Sequence, residues 1–343
     1  MKPTLVLLLH AAFDRSRIST QAAWHRWCLD EDLQTTDTTS LRLMGLVGRN
    51  LARHGIADVD LDRLRGLRRH NFVEHTRHVA RLAPVVAALR AQGVQPLLLG
   101  PVALGPLAYG ELGPRAPGPS ILLVPPASVP TCVRVLRGLG FGPEGQHPPT
   151  LWRALLGESN LAEQGYADAL RWGHDGVTFE LRWALASTHI GPASDAAVVA
   201  RRGPFTFGEL VVDTASAADH LLFTLLQRND EPDWIADALS LLGTTIDWST
   251  FAAEVERRGL GAPVQNALRY LADEFTEHDI TVPSLLQGPP RPTLLLPHLD
   301  GRTPLDAARV SARFVMHRVA ATPIVQRLRP LLRPAWRLFG RHI

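Results

Sequence analysis

The sequence predicts an α+β fold: a small mixed sheet with helices packed on it, flanked by N-terminal helices and a helical C-terminal half. Three observations predict it. Apolar residues recur at helical spacing through residues 1–80 and again from Thr214 to about Glu277. Between these stretches, short apolar runs bounded by Gly and Pro alternate with helical segments in strand–helix–strand–helix order. The composition, 45% hydrophobic and 20% charged, is that of an ordinary globular protein.

Taken in order, the first element is the apolar run Thr4–Leu9 after Lys2. It superficially resembles a signal peptide. The run is short, and no small-x-small cleavage site precedes Asp14-Arg15-Ser16-Arg17, so it reads as the first core helix and the chain as cytoplasmic. Leu41, Leu43, Leu46, Val47 and Leu51 mark a further helix that Gly55 stops. Pro84–Ala91 continues as an amphipathic helix into Gln92-Gly93. A strand follows over Val94–Leu99, then a turn, a short helix and another turn over 100–113. Ser120–Val124 is a second strand, bounded by Pro119 and Pro125-Pro126, and Val129–Leu139 is a helix ending at Gly140. Residues 143–150 are a loop.

A hairpin is expected next: Ala169–Trp172, a turn over Gly173–Gly176, then Val177–Leu185. Strand alternation places Val177, Phe179, Leu181 and Trp183 on one face and Thr178, Glu180 and Arg182 on the other. Four helices fill 214–277, the first over Ala217–Gln227 with Leu221, Leu222, Leu225 and Leu226 inward. Residues 286–304 are rich in proline. The last forty or so residues form one or two basic amphipathic helices broken by Pro323, Pro330 and Pro334. The segments are therefore an N-terminal helical part (1–80), an α/β core (81–212), a C-terminal helical region (213–285) and a Pro-rich linker with a basic tail (286–343).

Composition narrows the function. Of 36 basic residues only Lys2 is a lysine, so no internal lysine can serve as a nucleophile, Schiff base or P-loop residue. Two cysteines, Cys28 and Cys132, exclude a disulfide scaffold and a four-cysteine zinc site, and they read as buried packing residues. The net charge is +3, but residues 302–343 carry nine arginines against Asp306 alone, a tail of +8 on a body of −5. The basic balance belongs to the tail, so no specific nucleic-acid face is expected. No Gly-x-Ser-x-Gly elbow, dinucleotide fingerprint or P-loop is present.

The informative motifs run Pro96-Leu-Leu-Leu-Gly-Pro-Val-Ala-Leu104, Tyr109-Gly-Glu111, Arg115-Ala-Pro-Gly118-Pro-Ser-Ile-Leu-Leu-Val-Pro-Pro126 and Arg137-Gly-Leu-Gly-Phe141. They resemble a bacterial family of uncharacterised nucleotidyltransferase-like proteins, related to the polymerase-β-type nucleotidyltransferases. That family has a strand ending Leu-Lys-Gly, a Tyr-Gly-Asp turn, an Arg-x-x-Gly and an Asp-x-Asp strand. The match is gapless from Leu97 to Pro126. Glu180-Leu-Arg-Trp183 stands where the family has Asp-Leu-His-Trp. Asp219, Trp234-Ile-Ala-Asp237 and Asp247-Trp248 resemble its helical half, so the similarity covers roughly 1–285. The resemblance implies a nucleotidyltransferase-like sheet and, by analogy with the family, an accessory role in peptide or polysaccharide assembly.

The chemistry departs from the pattern. Nucleotidyl transfer of this type needs two carboxylates two residues apart on one strand, aimed at one side to hold Mg²⁺ against the nucleotide phosphates. Pro119 and Ile121 occupy those positions. The family lysine falls at Gly100 or Leu99, depending on alignment. Only the third carboxylate position is kept, as Glu180, with Arg182 in place of the histidine. Glu111 and Asp175 are the neighbouring acids that could approach the cleft.

Other candidates are weaker. Arg115 with Arg182 would make an anion pocket, or else a pair of solvated or salt-bridged arginines. Gly100-Pro101 would present backbone N–H groups to a phosphate, although Pro101 removes one donor. On a helix, Glu74, His75 and His78 share a face with metal-ligand spacing, and His70 lies to one side. Flanking Arg68, Arg69, Arg77 and Arg81 favour a solvated face. Ser120 has no evident base.

Three functions follow. The first is a protein that has lost the paired aspartates, needs no cofactor and acts by binding a protein or peptide of a bacterial biosynthetic or modification pathway. The second is an active transferase that takes Mg²⁺ and a nucleoside triphosphate at a relocated site using Glu180. The third is a peripheral membrane or scaffold protein whose residues 302–343 meet an anionic surface.

Overall fold

The computed structural model describes residues 2–144, 155, 169–185, 195–227, 232–278 and 280. The proline-rich segment from 286, the basic tail and most of the 143–150 loop lie outside these residues. The fold is α+β, as expected. Four helices come first: α1 (Pro3–Phe13), α2 (Arg17–Asp30), α3 (Thr38–Arg53) and α4 (Leu61–Ala91). Ser16 and Asp37 cap α2 and α3 through side chains that accept the Ser19 and Ser40 N–H groups. The apolar run at the start is α1, with Leu5, Leu8 and Leu9 buried. Gly55, at φ +61°, follows the end of α3.

Helix α4 is a single 31-residue helix that takes in Pro84 and spans residues 80–81. Its second half packs on the sheet, and its first half lies against α3. Gly48 permits that approach, because a Cβ there would stand 2.7 Å from Leu64 Cβ.

The sheet is mixed and has seven strands in the order β3-β4-β5-β2-β1-β7-β6. Strand β1 is Leu97–Leu99 and β2 is Ser120–Leu123. They are joined by α5 (Pro101–Leu104) and a π-helical turn over Gly105–Tyr109. Helix α6 (Val129–Gly138) leads into β3 (Gly142–Pro143). Strands β4 (Ala169–His174) and β5 (Val177–Arg182) form the expected hairpin. Its turn is only two residues long. Asp175 (φ +48°) and Gly176 (φ +71°) both take the left-handed conformation that matches strand twist, the geometry an Asp-Gly pair favours. Helix α7 (Ala196–Ala200) and a hairpin that the sequence reading did not anticipate, β6 (Gly203–Phe207) with β7 (Leu210–Thr214), complete the sheet. Four helices then follow, as expected: α8 (Ala217–Leu226), α9 (Asp233–Leu242), α10 (Trp248–Arg257) and α11 (Gly261–Glu274).

The sheet has two covered faces. Leu98, Leu122, Phe179, Leu181 and Trp183 pack with Val79, Leu82 and Val86 of α4 and Val133 and Leu136 of α6. Leu97, Leu99 and Leu123 face the other way, into a core shared by α1–α3 and α8–α11. Helices from both ends of the described residues therefore bury the same sheet face.

Candidate functional site

The site residues sit where β1, β2 and β5 lie side by side. Strand β1 runs antiparallel to β2, with Leu99 opposite Ile121. Strand β2 runs parallel to β5, with Ile121 beside Glu180 and Leu123 beside Arg182. Directly paired residues share a face, so Leu99, Ile121, Glu180 and Arg182 project from one side of the sheet. Two residues earlier on the chain, Pro119 continues that face.

Gly100 closes the end of β1 in a conformation that only glycine adopts readily, φ +81°. A Cβ at Gly100 would meet Ile121 Cδ1 at 3.2 Å and the Pro119 carbonyl oxygen at 3.6 Å. Gly100 thus brings the two strand ends together, and Leu99 is the residue whose side chain faces Ile121.

The electrostatics are simple. The Arg182 guanidinium donates to Glu180 Oε1 through Nε at 2.8 Å and Nη2 at 2.6 Å. The same guanidinium stands 5.3 Å from the Phe223 ring centroid. Ile121 is half-buried and packs on the main core. The magnesium ion that the resemblance implies does not fit these residues. Neither Pro119 nor Ile121 offers a side-chain oxygen, and Glu180 is held by a cation of its own. Among the described residues, no three His, Cys, Asp or Glu side chains converge to hold a metal.

The other sequence candidates fall elsewhere. Glu111 accepts both 2.6 Å and 2.8 Å hydrogen bonds from Arg68 Nη2 on α4. Asp175 lies at the tip of the β4–β5 hairpin, where its carbonyl accepts from Arg81. Ser120 points to the opposite sheet face, fully buried, and its hydroxyl has no partner among the described residues.

Arg115 does not join Arg182. Its Nε donates to Asp237 Oδ1 at 2.8 Å, its Nη2 to Asp237 Oδ2 at 3.2 Å and its Nη1 to the Ala116 carbonyl at 2.9 Å; Nη1 also lies 3.2 Å from Asp233 Oδ1. Tyr109 donates its hydroxyl to Asp237 at 2.6 Å, and Arg42 pairs with Asp233. Burial disfavours the Arg115 charge, but Asp237 and Asp233 outweigh it and hold the guanidinium above its ordinary pKa. This cluster fixes the segment before β2 onto α9. Its acids were not legible as Arg115's partners, because they lie 118 and 122 positions further along the chain.

His75 and His78 of α4 correct the expectation of a solvated face, whereas His70 is exposed as expected. His75 is buried and donates from Nε2 to the Arg115 carbonyl at 3.1 Å, and burial pushes its pKa down to about 4. His78 Nε2 accepts the Ser120 N–H at 3.4 Å, and burial followed by Arg81 lowers its pKa. Both rings grip the backbone on either side of Pro119, and Glu74 pairs with Arg77 instead. Cys132 is buried as expected, whereas Cys28 is exposed on α2.

No curated protein sequence matches the chain. Residues 34–276 match the family model described as uncharacterised nucleotidyltransferase, a stretch that takes in α3 through α11 and every residue of the β1–β2–β5 site, and the chain belongs to that family.

Proposed function

We propose that this chain keeps the nucleotidyltransferase fold without its two-metal chemistry, and acts as a binding or accessory protein in a bacterial biosynthetic or modification pathway. One observation carries the reading: the site face presents Leu99, Ile121 and the paired Glu180 and Arg182, with Pro119 two residues before Ile121. The register supports Leu99 as the position of the family lysine, with Gly100 as its glycine. Three of the four chemistry-bearing positions are then apolar. The fourth, Glu180, spends its charge on Arg182.

An in-line phosphoryl displacement needs charge neutralised at the transferring group. One carboxylate already bound to a guanidinium supplies neither the metal shell nor a spare cation. The apolar positions suit contact with a partner rather than with a triphosphate.

The test is transfer of label from nucleoside triphosphates carrying it on the α-phosphate, with Mg²⁺ or Mn²⁺ present, to the chain itself or to an added protein extract. The expected result is no covalent label. Label that requires the metal and disappears in Glu180→Ala would sink the reading and favour a relocated active site.

A further inference from the structure

Helix α2 is apolar on two opposite sides. Trp24 and Trp27 are buried in the core, while Ile18 is 81% and Leu29 is 78% exposed. Ile18 and Leu29 are eleven positions apart, close to three helical turns, so they lie on one outward face. Ala22 and His25, both exposed, lie between them. Val59, 94% exposed, sits in the α3–α4 turn, which Trp24 Nε1 holds against α2 by donating to Asp58 at 2.9 Å. Such a face on a packed helix is free to take a further apolar contact.

Two observations point to an occupant. The first is where the described body ends. Glu277 accepts the N–H groups of Arg15 and Ser16 at 2.8 and 3.1 Å and the Ser19 hydroxyl at 2.7 Å. His278 Nε2 lies 2.9 Å from the Phe13 carbonyl. Residues 277 and 278, the last of the described helices, therefore lie beside the first turn of α2. A connection drawn from residues 281–343 reaches past the about 21 Å of α2.

The second is charge. The far end of α2 is acidic, with Asp30, Glu31, Asp32 and Asp58. Arg26 pairs with Asp30 at 3.5 Å, while Glu31, Asp32 and Asp58 have no ion-pair partner among the described residues. The tail carries +8, and from 327 to 341 it interleaves five arginines with Leu328, Leu331, Leu332, Trp336, Leu338 and Phe339.

We propose that residues 327–341 dock on the outward face of α2. Their apolar side chains cover Ile18 and Leu29, and their arginines meet Glu31, Asp32 and Asp58. The contact is intramolecular and weakens with salt.

Cys28, beside Leu29, reports on it, because the only other cysteine is buried. In the full chain, Cys28 labelling is measured with a small maleimide and with one bearing a polyethylene glycol chain. The ratio of the two rates cancels changes in thiolate fraction and leaves steric cover. Arg333→Glu, Arg337→Glu and Arg341→Glu together should raise the bulky-to-small ratio about tenfold, the change for docking favoured by about 1.4 kcal/mol. Ile18→Asp, about 15 Å from Cys28 along the helix, should do the same. If Ile18→Asp fails to fold, the tail triple variant still decides, since it alters nothing in the body.

An unchanged ratio in the triple variant overturns the proposal. A wild-type ratio that falls with protein concentration also overturns it, by placing a second copy on α2. Binding of the wild type to phosphatidylserine vesicles with the ratio unaltered would put the tail on lipid instead, with the same consequence.

Discussion

At the scale of single residues, buried charge decides most of what the chain tolerates. Arg115, 3% exposed, depends on Asp237 and Asp233. Removing Asp237, its two-point partner, leaves this buried cation with Asp233 alone, at a cost of about 3 kcal/mol. Asp237→Ala should therefore lower the melting temperature by about 10 °C. Tyr109→Phe, which leaves the Arg115 pair intact, should cost only about 1 kcal/mol. Equal effects would mean that the ion pair is not the anchor.

Acidification acts on the same region. His75 and His220 are held neutral by burial, with pKa values lowered to about 4, and His78 is lowered as well. A base whose folded pKa lies below its unfolded value stabilises fully above about pH 6.5. That contribution is lost as pH falls toward about 4. His10, raised by its hydrogen bond to Asp14, works in the opposite direction. Urea midpoints should fall between pH 6.5 and 4, and His75→Gln should flatten the fall. A midpoint that holds constant over that range would contradict the assignment of neutral, buried rings.

At the scale of elements, two glycines set geometry that no other residue supplies cheaply. Gly176 completes the two-residue β4–β5 turn at φ +71°, so Gly176→Ala should cost about 1 kcal/mol through left-handed strain. Gly48→Ala pushes a methyl into Leu64, where its Cβ would lie 2.7 Å away, and overpacking of this kind costs about 1–3 kcal/mol. Denaturant unfolding of the two variants checks both numbers, and a neutral result at Gly48 would mean that α3 and α4 yield easily.

Legibility in the sequence follows the same physics. The four C-terminal helices and the β5 face pattern were readable from their periodicity, and α1 from its apolar run. The β6–β7 hairpin was not, because it spans twelve residues and its Phe205, Thr206, Phe207 alternation is brief. The amphipathic helix read over Pro84–Ala91 is the last part of α4, which tolerates Pro84 within it. His75 and His78 were misplaced outward because flanking arginines suggested solvent, whereas a helix with one buried stripe accommodates both.

At the scale of the whole molecule, helices from the two ends of the described residues meet on one face of the sheet, so the site residues rest on a frame that pairs residues more than a hundred positions apart. Arg115 with Asp237 is the clearest case. One sequence carries the strand motif around Gly100, Pro119, Ile121 and Glu180 but not such pairings, which is why the supports of Arg115 were not legible in it. The charge contrast between the −5 body and the +8 tail was legible from composition alone.

The central claim is the absence of a metal-holding carboxylate pair beside Glu180. Manganese binding followed by electron paramagnetic resonance, on the full chain with and without ATP, tests it most directly. The account predicts that Mn²⁺ shows no saturable site on the wild type that depends on Glu180. A stoichiometric Mn²⁺ site that is lost in Glu180→Gln and strengthened by ATP would contradict it.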